Sequence, residues 1–344
     1  MNQNNGNGKV ARSLLNKWGI TGLLNSGVTE VIINRPKEII TEDGEGFHHH
    51  NAGFEYQDLI NLANVLCTFN NKNISPNNPT QSIRLPDGER GHIVIPPACE
   101  PGTVVFAFRK PSDKRFSLDD YIKTGRLSEF KDTAKHKTVN EIPPEIMPFI
   151  ADWQLQMIEA KNSKNMATFF KLAAEKHCNI CMVGGTGSGK TTFTKAVADL
   201  IDHETRIITI EDTHELDLKY HKNKVHLFYN ETCSAKKIIA ACMRLKPDRI
   251  FLTELRGDET WDYLSSLNTG HAGGLTSVHA NDSCSAFYRI ARLAKESETG
   301  QRMDYDFILN TVKSTIDIVC FFQHTKMIEL YFDPVAKIQA ANGR

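Results

Sequence analysis

The sequence predicts an α/β protein in which a smaller N-terminal α+β sheet domain precedes a larger domain with a parallel sheet. The length of 344 residues favours two domains over one. Apolar strand-like runs alternate with amphipathic helical runs from about residue 166 onward, as in parallel α/β sheets. The glycine-rich stretch GGTGSGKTT stands between one such strand and one such helix. Together these observations predict a nucleotide-binding sheet domain in the second half of the chain.

The charge balance leaves no net field that would hold a polyanion non-specifically, although a local basic groove is the alternative. The 41 basic side chains equal the 41 acidic ones, so we expect no direct nucleic-acid binding. No stretch approaches the roughly 18 apolar residues of a transmembrane helix, and the start MNQNNGNGK lacks a signal-peptide core. We therefore expect a cytoplasmic protein, or one that reaches a membrane through its partners.

The N-terminal part is expected to consist of a disordered, Asn- and Gly-rich tail over residues 1–9 and an α+β domain over residues 10–112. The stretch SIRLPDGERGHIVIPPA predicts a β-hairpin around a Pro-Asp-Gly turn. A further strand, TVVFAFRKPS, follows and is expected to end at Pro111.

The stretch from Gly125 to about residue 148 is charged and contains proline, including EIPPEIMP, and residues 113–165 are expected to form a linker with connecting helices. Ser117 is placed to cap one short helix, which Gly125 would end. The second domain is expected over residues 166–335, with Ser234 and Asp282 as helix caps, and residues 336–344 are expected to form a C-terminal tail.

The cysteines do not predict a metal site. The closest pair is Cys178 and Cys181, and a zinc ribbon would need a second CxxC, which the sequence lacks. The apolar surroundings predict buried, reduced thiols, and strand alternation would direct the two sulfurs to opposite faces of a sheet.

The stretch from Gly184 to Thr191 matches the phosphate-loop pattern G-x-x-x-x-G-K-[ST] in full. Its glycines let backbone amides surround a phosphate, and the following helix adds the positive end of its dipole. Lys190 would reach the β- and γ-phosphates, and Thr191 would offer its hydroxyl to Mg²⁺. The sequence therefore predicts ATP-type nucleotide binding.

Two acidic strand ends could complete this site. IITIEDTHEL contributes Glu211, Asp212 and Glu215, and RIFLTELRG contributes Glu254. Parallel strands end at the same edge as the phosphate loop, so these carboxylates are expected to converge on the nucleotide. An ordinary solvated strand-end charge is the alternative for Glu254.

Histidines in TGHAGGLTSVHAND are the third element. We expect His271 and His279 at the same sheet edge, with His279 placed to sense a γ-phosphate. A structural role is the alternative for both, more so for His271.

Four motifs in order, GGTGSGKTT, TIEDTHEL, LKPDRIFLTELRG and TGHAGGLTSVHAND, resemble the Walker A, Asp box, Walker B and His box of the secretion ATPase superfamily. The phrases VTEVIINRP, IRLPDGERGHIVIPPA and FRKPS extend the likeness over roughly residues 10–335. They resemble most the hexameric traffic ATPases of bacterial type IV secretion and conjugation systems, the VirB-eleven class. The resemblance implies a RecA-like ATPase domain and a two-layered ring of six copies.

The resemblance also implies roles for individual residues. Glu215 would be the catalytic base or water-positioning residue, Glu254 would hold the magnesium shell, and His279 would touch the γ-phosphate. Arg90 and Arg109 match arginines that reach the γ-phosphate in relatives. The full set assigned to nucleotide binding is Gly184, Gly185, Thr186, Gly187, Ser188, Gly189, Lys190, Thr191, Thr192, Glu211, Asp212 and His271, with Thr191 and Glu254 assigned to the metal.

Two positions depart from the pattern of relatives. Thr253 stands where relatives usually carry glycine before the Walker B glutamate, which could place a hydroxyl near the metal shell. Lys246 stands where many relatives carry arginine, and it lacks the planar fork of that side chain.

The resemblance implies a homohexameric ATPase on the cytoplasmic face of the inner membrane, together with other ATPases and membrane components of a type IV secretion machine. Its hydrolysis of ATP would drive substrate transfer or pilus assembly. The alternatives are a nucleotide-switched scaffold of the same machine with incidental hydrolysis, and a soluble P-loop kinase. TGHAGGLTSVHAND offers no acceptor pocket for a kinase.

Overall fold

The computed structural model describes residues 3–110, 115–230 and 232–343. The chain divides into two compact units, residues 1–113 and 114–344. Pro111, which was expected to end a strand, lies outside the described residues. Among the helices of the described residues, none is both long enough and apolar enough to cross a bilayer.

The first unit is an antiparallel sheet packed against helices, in the strand order β3-β2-β1-β6-β5-β4 over its described part. Its elements are α1 (Gln3–Lys17), α2 (Ile20–Leu24), β1 (Glu30–Ile33), β2 (Glu38–Glu42), β3 (Phe47–Asn51), α3 (Tyr56–Phe69), β4 (Thr80–Arg84), β5 (Arg90–Val94) and β6 (Val105–Arg109). The predicted hairpin is confirmed: β4 pairs with β5, and Gly88, at φ +102°, donates its N–H to the Leu85 carbonyl across the turn.

The predicted disordered tail is wrong for residues 3–9, which belong to α1, and residues 1–2 lie outside the described part. Asn and Gly disfavour a helix, but later turns of α1 bury Ala11 and Leu15 in the core of this unit. Tertiary packing of an apolar face therefore outweighs the low local propensity.

The second unit is a mostly parallel sheet, in the strand order β10-β9-β11-β12-β8-β13-β14-β7 over the described residues. Strands β8 to β13 pair with one another in parallel, and β14 returns antiparallel to β13. Its elements are α4 (Leu118–Lys123), β7 (Lys131–Asp132), α5 (Asp152–Asn162), α6 (Met166–Glu175), β8 (Ile180–Val183), α7 (Lys190–Ala198), β9 (Ile207–Glu211), β10 (Lys224–Phe228), α8 (Ala235–Cys242), β11 (Arg249–Leu252), α9 (Glu259–Leu267), β12 (Leu275–Val278), α10 (Ser283–Glu296), α11 (Glu298–Gln301), α12 (Tyr305–Thr315), β13 (Ile318–Gln323), β14 (Lys326–Phe332) and α13 (Pro334–Ala341), with single 3₁₀ turns at Val139–Glu141 and Met147–Phe149.

Apolar cores cover both faces of this sheet. Along β8, Ile180 and Met182 enter one core while Cys181 and Val183 enter the other, because successive strand residues point to opposite faces. Cys178 lies in the first core, so the predicted opposite orientation of the Cys178 and Cys181 sulfurs is confirmed. Burial raises the pKa of the Cys181 thiol to about 12, so the thiol stays protonated.

The segment predicted as a linker with connecting helices contains α4 and α5, and from residue 115 onward it belongs to the second unit rather than to a separate linker. Leu118, Tyr121 and Ile142 share the core of the second unit, and β7 pairs with β14. Lys161 is fully buried there, and its Nζ lies 2.8 Å from Asp132 Oδ2. The prolines and charged residues of this segment made the apolar positions that enter the core hard to recognise in the sequence. The predicted caps Ser117, Ser234 and Asp282 are confirmed.

The predicted C-terminal tail is wrong for residues 336–341, which lie in α13, and Arg344 lies outside the described part. Asp333 caps this helix and accepts hydrogen bonds from the backbone N–H groups of Lys135 and His136. The last helix is therefore tied to the segment that precedes the sheet.

Candidate nucleotide site

The phosphate loop lies between β8 and α7, as the sequence predicts. Gly184 has a φ of +146°, and a Cβ built on it would lie 2.4 Å from the Phe322 carbonyl oxygen. Gly189, at φ +94°, precedes the first residue of α7. Both positions therefore require glycine, and the N-terminus of α7 that follows them suits an anion.

The Lys190 ammonium lies against this loop. Its Nζ donates to the carbonyl oxygens of Gly184 and Gly185, each at 2.7 Å. Ser188 Oγ donates to the same Gly185 oxygen at 2.8 Å, which tightens the turn. The loop thus holds the Lys190 ammonium at the N-terminus of α7, where a positive charge suits phosphate oxygens.

Thr191, in the first turn of α7, contacts the predicted catalytic acid. Its Oγ1 donates to Glu215 Oε2 at 3.0 Å. Thr191 and Glu215 lie 24 positions apart in the chain, so the fold brings them together. The Thr191 hydroxyl is a hard oxygen donor of the kind that Mg²⁺ prefers, and it lies beside the acid that is predicted to position water.

Glu211, at the end of β9, is fully buried and holds the segment that carries Glu215. Its Oε2 accepts from the backbone N–H groups of Glu215 (2.8 Å) and Leu216 (2.9 Å), and its Oε1 accepts from Thr209 Oγ1 (2.9 Å). Burial raises the pKa of Glu211, but the His226 side chain and the two amides outweigh it and hold that pKa below its ordinary value. Glu211 is therefore an ionised organiser of the Asp box rather than a ligand exposed to nucleotide.

Arg256 connects the two acidic strand ends. Its Nη2 lies 2.9 Å from Glu254 Oε2 and its Nη1 lies 2.8 Å from Asp212 Oδ2. His279 Nε2 lies 3.3 Å from the other oxygen of Glu254. The predicted convergence of Asp212, Glu254 and His279 on one sheet edge is therefore confirmed as geometry. The sequence analysis assigns no role to Arg256, although an arginine two residues after a strand-end glutamate could have indicated an ion pair between the two.

His279 lies between this acid cluster and the phosphate loop. Burial and the nearby Lys190 charge lower the pKa of His279, while Glu254 and a backbone hydrogen bond with Gly184 oppose the shift. The neutral imidazole is thus favoured at neutral pH. A neutral ring beside Lys190 can donate a hydrogen bond without adding a second cation.

The expectation that His271 shares the phosphate edge is wrong. His271 precedes β12 and His279 follows it, and the four strand residues between them span about 13 Å. The Nδ1 of His271 lies 2.9 Å from the Pro247 carbonyl oxygen, ahead of β11. His271 therefore lies at the opposite end of the parallel strands, away from the phosphate loop of its own chain.

Thr253 does not direct its hydroxyl to a metal shell. Its Oγ1 lies 3.3 Å from the Ile210 carbonyl oxygen on β9, and its own carbonyl accepts from Ser277 Oγ at 2.8 Å. Thr253 therefore ties β11 to its two neighbouring strands just before Glu254. Lys246 adopts a left-handed backbone with φ +54°.

Arg90 and Arg109 lie in the first unit, directly opposite each other on the paired strands β5 and β6. Arg109 Nε is 3.9 Å from Glu30 Oε1 on β1. The fold thus brings the two guanidinium groups to neighbouring positions of one sheet. Their assignment to the γ-phosphate stays a prediction.

The parallel sheet, the phosphate loop after β8 and the acids after β9 and β11 define a RecA-like P-loop nucleoside triphosphatase. Residues 150–325 match the family model described as type II/IV secretion system protein. The chain belongs to that family, and it is an ATP-hydrolysing secretion-system enzyme. This outcome confirms the resemblance and the fold class stated from the sequence.

The chain is similar to type IV secretion proteins over most of its length. It is 34% identical to the type IV secretion system protein VirB11 of Brucella abortus (strain 2308), over 90% of this chain and 86% of the relative. It is 32% identical to the type IV secretion system protein PtlH of Bordetella pertussis, over 86% of each. The crystal structure of the VirB11 ATPase from Brucella suis, in complex with sulphate, matches with a TM-score of 0.54 and 31% identity, over 99% of this chain and 100% of that one. The pilus retraction motor PilT with bound ADP matches with a TM-score of 0.58 at 16% identity, over 94% of this chain and 85% of that one, which shows the fold alone.

Proposed function

We propose that the protein hydrolyses ATP to drive substrate transfer or pilus assembly by a bacterial type IV secretion machine, as a homohexamer. The observation that carries the proposal is the contact between Thr191 and Glu215, since it joins the phosphate-loop helix to the Asp box. In this reading Glu215 positions the attacking water and accepts its proton, and Lys190 neutralises charge on the transferred phosphate.

Mg²⁺ would be held by Thr191, with Glu254 orienting its water shell. Bound there, the ion would neutralise charge between the β- and γ-phosphates of ATP. Arg256 and His279 both contact Glu254, so they fix the direction of its carboxylate. His279 would donate a hydrogen bond toward the γ-phosphate.

Arg90 and Arg109 would clamp the γ-phosphate from the first unit. Guanidinium groups offer several donors in a fixed plane, which suits three phosphoryl oxygens. Loss of phosphate would release the clamp, so the ring would convert γ-phosphate occupancy into domain motion. The ring would lie on the cytoplasmic face of the inner membrane, beside membrane components and other ATPases of the machine.

Phosphate release and transfer assays with Lys190→Ala test the proposal. We expect at least a hundredfold loss of hydrolysis and loss of transfer in cells, because the phosphates lose their cation. Lys171→Ala serves as the matched control, since Lys171 is exposed on α6. A Lys190→Ala protein that hydrolyses ATP and supports transfer like the control would contradict the proposal.

Glu215→Gln separates the motor from the nucleotide-switched scaffold. The amide keeps the shape of the side chain and loses the base, so we expect ATP binding within about threefold of wild type and hydrolysis at least a hundredfold slower. A motor loses transfer in this variant. Full transfer by a non-hydrolysing Glu215→Gln protein would establish the scaffold instead.

A further inference from the structure

The Asp box also carries a cluster of potential metal ligands. Glu211 at the end of β9, His214 three residues later and His226 on the neighbouring strand β10 each offer one ligand atom, and these atoms all lie within 4.8 Å of one another. We infer that this cluster, the His-Glu-His cluster, is a binding site for a Zn²⁺-class divalent cation, separate from the magnesium–nucleotide site.

The distances suit a tetrahedral ion. The Nδ1 atoms of His214 and His226 lie 3.5 Å and 3.6 Å from Glu211 Oε1. Ligand atoms of a tetrahedral zinc lie about 3.3 Å apart, given metal–ligand bonds of about 2.0 Å. Two of the three separations already match to within a few tenths of an ångström, and the third, between a ring nitrogen of each histidine, lies within 4.8 Å and would shorten on rotation of the imidazoles.

The donor set selects the type of cation. Two imidazole nitrogens with one carboxylate oxygen favour Zn²⁺ and its transition-metal neighbours, whereas Mg²⁺ prefers oxygen ligands alone. Glu211 is held ionised, as its lowered pKa indicates, and its Oε1 can accept more than its bond from Thr209. To bind the metal, His226 Nδ1 would give up its 2.8 Å hydrogen bond with Thr209 Oγ1.

Access and rigidity also suit a site. The Glu211 side chain is fully buried and the His226 side chain is 20% exposed, so the protein holds these two ligands in place. The His214 side chain is 45% exposed, which leaves a path by which an ion and a water ligand can enter. Because Glu211 Oε2 holds the backbone of Glu215 and Leu216, a bound ion would stiffen the segment that carries the catalytic acid.

Competition titration of Zn²⁺ against a chromophoric chelator tests the inference on the full chain without an affinity tag. His48, His49 and His50 on β3 are replaced by Gln in every sample, because consecutive histidines are a rival site. In that background we expect His214→Gln and His226→Gln each to weaken Zn²⁺ binding at least tenfold. His324→Asn, an exposed histidine in the turn between β13 and β14, is the matched control and should leave binding unchanged.

Two further measurements keep the test decisive. Co²⁺ should give the visible bands of a tetrahedral site in the parent protein and lose them in His214→Gln, whose half-exposed position tolerates the change. Zn²⁺ should raise the Tm of the parent and of Thr191→Ala, but not that of His214→Gln. Zn²⁺ affinity that is equal in the parent and in a folded His214→Gln protein, or that disappears with the β3 histidines, would overturn the inference.

Discussion

Glu211→Gln is the sharpest test of how the Asp box is built. The amide keeps the size of the buried side chain and removes its charge, while Glu211 accepts backbone N–H bonds from Glu215 and Leu216 at 2.8 and 2.9 Å. Hydrogen bonds to charged groups contribute about 1.5–3 kcal/mol and neutral ones about 0.5–1.5. Weakening two such bonds by about 1 kcal/mol each should lower the free energy of unfolding by about 2 kcal/mol.

The pH dependence follows from the direction of the pKa shift. The pKa of Glu211 lies below its ordinary value of 4.5 in the folded protein. Its charge therefore stabilises the fold fully above about pH 4.5, and that contribution is lost as the pH falls from there through the folded-state pKa. The difference between wild type and Glu211→Gln should therefore shrink as the pH falls below about 4.5.

Urea unfolding in the presence of a metal chelator measures this difference at each pH. Glu204→Gln is the matched control, because Glu204 is exposed and its side chain pairs with Lys222 at the surface. This variant should change the free energy of unfolding by less than about 0.5 kcal/mol. ATP hydrolysis should also fall at least tenfold in Glu211→Gln, because the segment that positions Glu215 loosens. Unfolding free energies that are equal for wild type and Glu211→Gln at pH 7 would refute the reasoning.

Three further predictions concern other parts of the molecule. Lys161→Met should lower the free energy of unfolding by about 2–3 kcal/mol in urea titrations, because it leaves the partly buried Asp132 without its 2.8 Å partner. Gly91→Ala should lower the free energy of unfolding by about 1–3 kcal/mol, and with it the Tm, because the new Cβ would lie 2.9 Å from Ile83 Cγ1. An unchanged Tm would show that the side chains around Gly91 move aside at no cost. Glu254→Gln should raise the Mg²⁺ concentration for half-maximal hydrolysis at least tenfold, and an unchanged Mg²⁺ dependence would remove Glu254 from the metal shell.

Local patterns were enough to predict the phosphate loop and the strands beside it. Gly184 to Thr191 is contiguous in sequence, and its flanking strand and helix have clear apolar periodicity. The convergence of Asp212 and Glu254 followed from the rule that parallel strands end at one edge. That same rule assigns His271 to the opposite edge, because it precedes its strand.

Specific side-chain contacts between distant segments could not be predicted from the sequence. Arg256 binds Asp212 from 44 positions away, and nothing local to either residue indicates that partner. The His-Glu-His cluster forms only because β10 pairs in parallel with β9, with His226 opposite Thr209. Pairing register of this kind is decided by the whole sheet rather than by any one strand.

The incorporation of residues 115–165 into the second unit limits how the protein can be divided. A fragment that begins at residue 166 would lose β7 from the sheet edge and would expose the apolar surface that Leu118, Tyr121 and Ile142 cover. Such a fragment should aggregate, whereas one that begins near residue 115 should fold by itself. For the same reason, after a proteolytic cut within residues 115–165 the two pieces should stay associated until the sheet unfolds, because they share one core.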